Sequence, residues 1–72
     1  MTQSLRQPRR FLRLIEVKHQ SGLGKSAIYS KIKTGDFPAP IKLSNNGRAV
    51  GWDSEAIESW IESRIEAAGG AV

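Results

Sequence analysis

Five polar residues in the segment 25–33 are spaced so that a helix would present them on one side. They are Lys25, Ser26, Tyr29, Ser30 and Lys33. An ammonium group pairs with phosphate or guanine, and hydroxyl groups bond phosphate oxygens or base edges, so this set predicts contact with the major groove of double-stranded DNA. Lys25 and Ser26 would lie in the first helical turn, where free backbone N–H groups also favour phosphate. The same pattern equally suits a helix whose polar face meets only water.

A second group of polar residues surrounds a predicted hairpin turn. Asn45, Asn46 and Gly47 would form a small polar tip, with Lys42 before it and Arg48 after it. Such a tip fits a narrow minor groove, where arginine is favoured by the enhanced negative potential. Turn geometry alone explains Asn46 and Gly47, because Asn-Gly is a strong hairpin signal, but it does not explain the two cations. We therefore predict a wing that contacts DNA.

The N-terminal segment is basic and has no apolar periodicity. Residues 1–9 are predicted to form a flexible arm. The arginines of this region are Arg6, Arg9, Arg10 and Arg13. Basic arms commonly add phosphate contacts or follow a minor groove, so Arg9, Arg10 and Arg13 are candidate DNA contacts. A solubilising role explains Arg6 almost equally well.

Two short helices must position the first group of residues. Apolar spacing predicts one helix over about residues 14–20 and another over about 25–34. Gly22 follows the first helix and suits a left-handed conformation, and Gly35 follows the second. Two short helices joined by Ser-Gly-Leu-Gly form a helix-turn-helix pattern.

A third helix and a hairpin complete the prediction. Asp53 is a favourable N-cap for a helix that runs to about residue 68. Its apolar stripe consists of Ile57, Trp60, Ile61, Ile65 and Ala68, together with Arg64. The hairpin has predicted strands over 41–43 and 48–52. The apolar residues expected to face the core from these strands are Ile41, Leu43, Val50 and Trp52.

The predicted fold class is therefore mainly α with a small β-hairpin, a winged helix-turn-helix made of three short helices and a two-stranded wing. We expect one domain over residues 10–68, preceded by the arm and followed by a frayed tail at 69–72. Trp52 and Trp60 both follow apolar patterns, which predicts core positions rather than stacking platforms for bases.

Composition argues against catalysis and favours a polyanionic partner. The net charge is +4, and residues 1–52 hold ten Lys or Arg against two acidic residues, whereas residues 53–72 hold one against five. His19 is the only histidine and there is no cysteine, so we predict no metal site, no cofactor and no enzymatic activity. No apolar run has the length of a membrane span or signal peptide, so a soluble intracellular protein without membrane contact is expected.

Four stretches of the chain resemble the AlpA family of prophage transcriptional regulators. They are Arg-Phe-Leu-Arg-Leu from residue 10, Ser-Gly-Leu-Gly-Lys-Ser-Ala-Ile-Tyr from 21, Lys-Thr-Gly-Asp-Phe-Pro-Ala-Pro-Ile-Lys-Leu from 33, and Gly-Arg-Ala-Val-Gly-Trp from 47. That family is similar to phage excisionases and to the DNA-binding domains of MerR-type regulators. The resemblance implies a winged helix-turn-helix that binds DNA near a prophage or genomic-island attachment site. It also implies a cytoplasmic, nucleoid-associated bacterial protein. It assigns Lys25, Ser26, Tyr29 and Ser30 to the recognition helix and Arg48 to the wing.

The function predicted on these grounds is sequence-specific binding of double-stranded DNA, as a transcriptional regulator or as an excisionase that directs recombination. Integrase and RNA polymerase are candidate protein partners. One small domain makes few base contacts, so we expect a monomer in solution that binds adjacent DNA sites in several copies. An alternative is a protein-binding adaptor or inhibitor that uses the acidic third helix. A third is RNA binding, which would need exposed stacking aromatics.

Overall fold

Three helices and a small antiparallel sheet make up residues 8–69, the part of the chain that the computed structural model describes. The elements in order are β1 (Phe11–Leu12), α1 (Leu14–Ser21), α2 (Lys25–Thr34), β2 (Ile41–Lys42), β3 (Val50–Asp53) and α3 (Ser54–Ala67). The predicted mainly helical fold with a β-hairpin wing is confirmed. The sheet has three strands rather than the two that were predicted, because β1 pairs with β3. Arg6 and the rest of the arm before residue 8, and the tail after residue 69, lie outside the described residues.

Polar side chains and two glycines build the turn between α1 and α2. Gly22 has the left-handed conformation expected for it, with φ of 77°, and its N–H donates to the carbonyl of Lys18 at 2.9 Å. The Ser21 hydroxyl donates to the carbonyl of Val17 and accepts the N–H of Leu23. Leu23 then packs against the core. The turn therefore fixes α2 relative to α1 through the backbone as well as through packing.

The end of α2 is held by a double backbone turn. The N–H of Gly35, with φ of 83°, donates to Ile32, and the N–H of Asp36 donates to Lys31 at 2.7 Å. This arrangement satisfies the last carbonyls of the helix. Beyond it, the indole N–H of Trp60 donates to the carbonyl of Asp36 at 2.7 Å.

The sheet has the order β1-β3-β2, with both pairs antiparallel. Leu12 lies opposite Trp52, and Lys42 lies opposite Val50, so these residues share the face of the sheet that covers the core. Ile41 lies opposite Gly51 on the other face.

The prediction that Ile41 and Leu43 face the core with Val50 and Trp52 is therefore wrong. The side chains of Ile41 and Leu43 are 46% and 36% exposed. Apolar and polar residues alternate along β2 as expected, but the pairing of β2 with β3 differs by one residue from the predicted pairing. A shift of one residue moves every side chain of the strand to the opposite face of the sheet. Lys42 accordingly lies on the face of the sheet that covers the core, but its side chain is exposed.

The hairpin is also shorter in regular pairing than predicted. Residues 43 and 48–49 fall outside β2 and β3, although the N–H of Leu43 still donates to the carbonyl of Ala49 at 3.0 Å. Gly47 does not have a positive φ, so Asn46 and Gly47 do not form the two-residue turn that their sequence favours. Instead, the N–H of Gly47 donates to the hydroxyl of Ser44 at 2.9 Å.

Six side chains form the buried core. They are Leu12, Val17, Ile28, Phe37, Trp52 and Ile57. Trp60 and Ile61 of α3 pack against this cluster, as their spacing predicts, and the Trp60 ring meets Phe37 edge-on at 4.8 Å between centroids. The predicted stripe does not extend to Ile65, which is 52% exposed because α3 has run past the core.

Ion pairs fasten β1 to the beginnings of two helices. Arg9 donates to both carboxylate oxygens of Asp53, at 3.1 and 2.7 Å, and Arg10 pairs with Glu16 at 3.0 Å. The Arg9 guanidinium and the N–H of Glu55 hold the pKa of Asp53 below its usual range. The N–H of Arg13, which donates to Glu16 at 3.0 Å, and the Arg10 side chain do the same for the pKa of Glu16.

Removing the Trp52 side chain is expected to abolish cooperative folding. The substitution Trp52→Ala deletes a fully buried ring, which costs about 3–5 kcal/mol, and a domain of this size has only about that much stability. Urea unfolding followed by far-ultraviolet circular dichroism measures the effect. Ile15→Ser, at a position that is 64% exposed, is the control and should keep the wild-type midpoint. A wild-type transition in Trp52→Ala would contradict the assigned core.

Stability should fall in acid through Glu16 and Asp53. Each has a lowered pKa in the folded chain, so its contribution is complete above the ordinary carboxyl range and is lost as the pH falls below about 4. The loss should be modest because both pairs face solvent. Urea midpoints measured between about pH 6 and pH 2.5 should show it, and the double variant Glu16→Gln, Asp53→Asn should show a flatter profile. An equal acid loss in that variant would assign the effect to other groups.

Candidate nucleic-acid interface

The exposed face of α2 carries all five polar residues that the sequence singled out. Lys25, Ser26, Tyr29, Ser30 and Lys33 are exposed. The opposite face is fixed by buried Ile28 and by half-buried Ala27 and Ile32. The helix therefore presents two ammonium groups and three hydroxyl groups along three successive turns of one surface.

The first turn of α2 leaves its backbone donors free of a side-chain cap. Gly24 is the N-cap, in an extended conformation with φ of −82°, and no side chain accepts from the first-turn N–H groups. Space around the Gly24 Cα is open, with nothing within 4 Å of a Cβ placed there. Lys25 and Ser26 thus stand where unsatisfied N–H groups and the helix dipole both favour an anion.

Tyr29 connects the exposed face of α2 with the sheet. Its ring meets the Trp52 ring edge-on, with 6.3 Å between centroids, and Trp52 is fully buried. The side chain of Tyr29 remains 40% exposed. One aromatic residue therefore packs against the wing strand β3 and still contributes to the polar surface. The sequence pattern placed Tyr29 on this surface but contained no signal for its contact with Trp52.

Three of the four wing residues lie in the loop that joins β2 and β3, and Lys42 is the last residue of β2. Lys42, Asn45, Asn46 and Arg48 are all exposed. Lys42 is on the same side of the sheet as Trp52, and Tyr29 contacts Trp52, so Lys42 belongs to the side of the wing that adjoins α2. Asn45, Asn46 and Arg48 stand at the free end of the loop.

The basic residues before α1 are arranged differently from the cations of α2 and the wing. Arg9 and Arg10 are held against carboxylates, so Arg9 is attached to the domain rather than to the preceding arm. Arg13 is exposed at the start of α1 and forms no salt bridge within residues 8–69, although its charge helps to lower the pKa of Glu16. Of the three candidate contacts in this region, Arg13 is the one that no carboxylate of the described residues holds in a salt bridge.

Charge is separated between two regions of the described chain. Within residues 8–69, the ion pairs involve Arg9 and Arg10, and none involves the cations of α2 or of the wing. Acidic side chains follow one another along α3 instead. They are Glu55, Glu58, Glu62 and Glu66. This separation leaves α2 and the wing able to meet a polyanion with uncompensated positive charge.

One cation of α2 was missed by the sequence analysis. Lys31 is half-buried and lines a surface groove with Trp60 and Arg64. It escaped attention because only one face of the helix was considered. A count of every basic residue on α2 would have found it.

Two further features of residues 8–69 bear on the kind of site. No group of three or more His, Asp or Glu side chains there is placed to hold a metal ion. Among those residues, no helix combines the length and the apolar character needed to cross a bilayer.

Comparison with known proteins agrees with this geometry. Residues 10–65 match the family described as prophage CP4-57 regulatory protein (AlpA). A relative, the uncharacterized protein ORF88 of Enterobacteria phage P4, is 41% identical over 56 residues, which are 78% of this chain and 61% of that protein. The chain thus spans about three fifths of the length of the relative that it matches, and no solved structure matches it. The matched region contains all three helices except the last residues of α3, and the whole sheet. The chain therefore belongs to the AlpA family of prophage regulatory proteins.

Proposed function

We propose that this protein regulates a prophage or genomic island by binding specific sites on double-stranded DNA. The observation that carries the proposal is the exposed face of α2, where Lys25 and Lys33 form no ion pair with any other residue of 8–69 and no side chain caps the first turn. Membership of a family of prophage regulators supports the same function.

In the proposed complex, α2 enters the major groove with its first turn near the base edges. Lys25, Ser26, Tyr29, Ser30 and Lys33 are the proposed contacts from this helix, some to bases and some to phosphates. The end of β2 and the loop between β2 and β3 reach the minor groove or its phosphates through Lys42, Asn45, Asn46 and Arg48. Because Tyr29 packs on Trp52, the two contact regions move as one body.

Among the basic residues before α1, Arg13 is the proposed phosphate contact. Arg9 and Arg10 would have to break their ion pairs with Asp53 and Glu16 to reach DNA. The loss of those ion pairs lowers the net contribution of the two arginines to the free energy of DNA binding. We keep them as secondary contacts. Their ion pairs orient the segment that carries Arg13.

Both transcriptional regulation and excision fit this binding mode. A regulator would bind next to a promoter, with RNA polymerase as its partner, and an excisionase would bind next to an attachment site, with integrase as its partner. The same protein surface would serve either output, since the two differ in where the sites lie. Both would act on bacterial DNA in the cytoplasm and would require no cofactor.

Replacing single cations of the interface should weaken DNA binding without unfolding the domain. Lys25→Ala and Arg48→Ala should each reduce affinity by about 1–3 kcal/mol, roughly five- to a hundredfold, with a shallower salt dependence where a phosphate contact is lost. Gel shifts on DNA from the genomic neighbourhood of the gene, with excess nonspecific competitor and a salt series, measure both quantities.

The matched control is Lys18→Ala, which removes an exposed lysine from the last turn of α1. It should bind like the wild type, and circular dichroism should show all three variants folded. Unchanged affinity in both Lys25→Ala and Arg48→Ala would refute the docking arrangement. The absence of any specific shift for the wild type, together with a protein partner that survives nuclease treatment, would favour an adaptor acting through α3.

A further inference from the structure

The face of the sheet that points away from the core carries an apolar cluster. Residues alternate between the two faces of each strand, and the observed register sets which ones share this face. We call the set the outer sheet face. Its members are Arg9, Phe11, Ile41, Leu43, Gly51 and Asp53.

The apolar members of the outer sheet face form one continuous surface. Phe11, Ile41 and Leu43 are 51%, 46% and 36% exposed. They converge over Gly51, because a Cβ at that position would lie 3.0 Å from the Cβ of Phe11 and 3.3 Å from Cδ1 of Leu43. Phe11 and Ile41 also line a shallow groove with Asp53. These three side chains form a small apolar patch, set among polar residues, that is available to a partner.

The charges beside the cluster carry both signs. Arg9 pairs with Asp53 at 2.7 Å and lies 3.8 Å from Glu55, all at one end of the face. Arg10 lines the same groove as Phe11 and Ile41. A surface with an apolar centre and two cations beside two anions can be complementary to itself, because a two-fold axis brings the cations of one copy near the anions of the other. It is poorly suited to a strongly basic or strongly acidic partner.

We propose that the outer sheet face is where a second copy of this chain docks, related by a two-fold axis that passes close to Gly51. The surface is small. Three partly exposed apolar side chains fall far short of the roughly 800 Å² per partner that a stable complex buries. The pairing is therefore weak in solution, which agrees with the expectation of a monomer at micromolar concentration.

The position of the wing suggests a role for this weak contact in DNA binding, and that role rests on the proposed function. The loop between β2 and β3 extends from the same strands that carry Ile41 and Gly51. Two copies docked through their outer sheet faces would place their wings side by side and their α2 helices in inverted orientation. DNA with two inverted sites would raise the local concentration of each copy for the other, so a weak contact becomes effective there.

Self-association without DNA tests the interface separately from DNA binding. Sedimentation equilibrium of the whole chain up to about 1 mM should reveal a reversible dimer. Ile41→Ser should weaken dimerisation at least tenfold. Ile15→Ser removes a similarly exposed isoleucine from α1 and should leave it unchanged. Leu43→Ser is a second test at another position of the same face, and circular dichroism checks that each variant folds.

Cross-linking locates the contact directly, because the natural chain has no cysteine. Ile41→Cys should give disulfide-linked dimers under mild oxidation, several times faster than Ile15→Cys. A monomer at every concentration, or a dimer equally affected by Ile41→Ser and Ile15→Ser, would overturn the proposal and leave the face to a different protein. Failure of DNA binding would overturn the proposed function but not a dimer that depends on Ile41.

Discussion

Two indole N–H groups determine where the helix and the wing lie relative to each other. Trp60 donates to the carbonyl of Asp36, and Trp52 donates to the carbonyl of Pro38 at 3.0 Å. Between these two carbonyls lies Phe37, whose ring is buried against Trp60. The segment that leaves α2 and leads to β2 is thus held from α3 on one side and from β3 on the other. The connection from α2 to β2 has no regular secondary structure, but these two hydrogen bonds hold it in place. They therefore constrain how the exposed residues of α2 lie relative to those of the wing.

The two hydrogen bonds to this connection explain how so small a chain can hold two surfaces, the exposed face of α2 and the wing, in a fixed arrangement. Each Trp side chain supplies apolar area and one N–H donor, so one residue both fills the core and satisfies a backbone carbonyl. Tyr29 adds a fourth ring, which contacts Trp52 and is partly exposed to solvent. Because the core needs few residues, most of α2 is left free to carry polar side chains, and four of the seven acidic residues lie on α3.

Much of this arrangement follows from local sequence. Gly22 and Gly35 mark the ends of α1 and α2, Asp53 caps α3, and its carboxylate accepts the N–H of Glu55 as expected of an N-cap. These signals act within a few residues, so sequence patterns report them. The exposed face of α2 was also predictable, because a helix with Ile28 in the core has only one way to display Lys25 and Tyr29.

Pairing between distant residues was not predictable in the same way. The alternation around Ile41 shows that the segment is a strand, but not which face it turns inward, and Gly51 offers no side chain to decide between the two registers. Arg9 and Asp53 are 44 positions apart, and nothing local to Arg9 predicts the pair. β1 itself has two residues, too few for periodicity to identify it. The exposure of these α2 residues was therefore predictable from the sequence, whereas the surroundings of β1 and the wing could be described only from the structure.

A core of six buried side chains also sets how long the folded chain persists in a cell. A domain this small buries only about 60% of its unfolded surface, so its free energy of unfolding is low and the open form is populated more often than in larger proteins. Proteases act on that open form in proportion to its population. Any ligand that binds only the folded form reduces that population by mass action. Molecules bound to a polyanion would therefore be degraded more slowly than unbound molecules. The concentration of unbound molecules would closely follow the rate of synthesis.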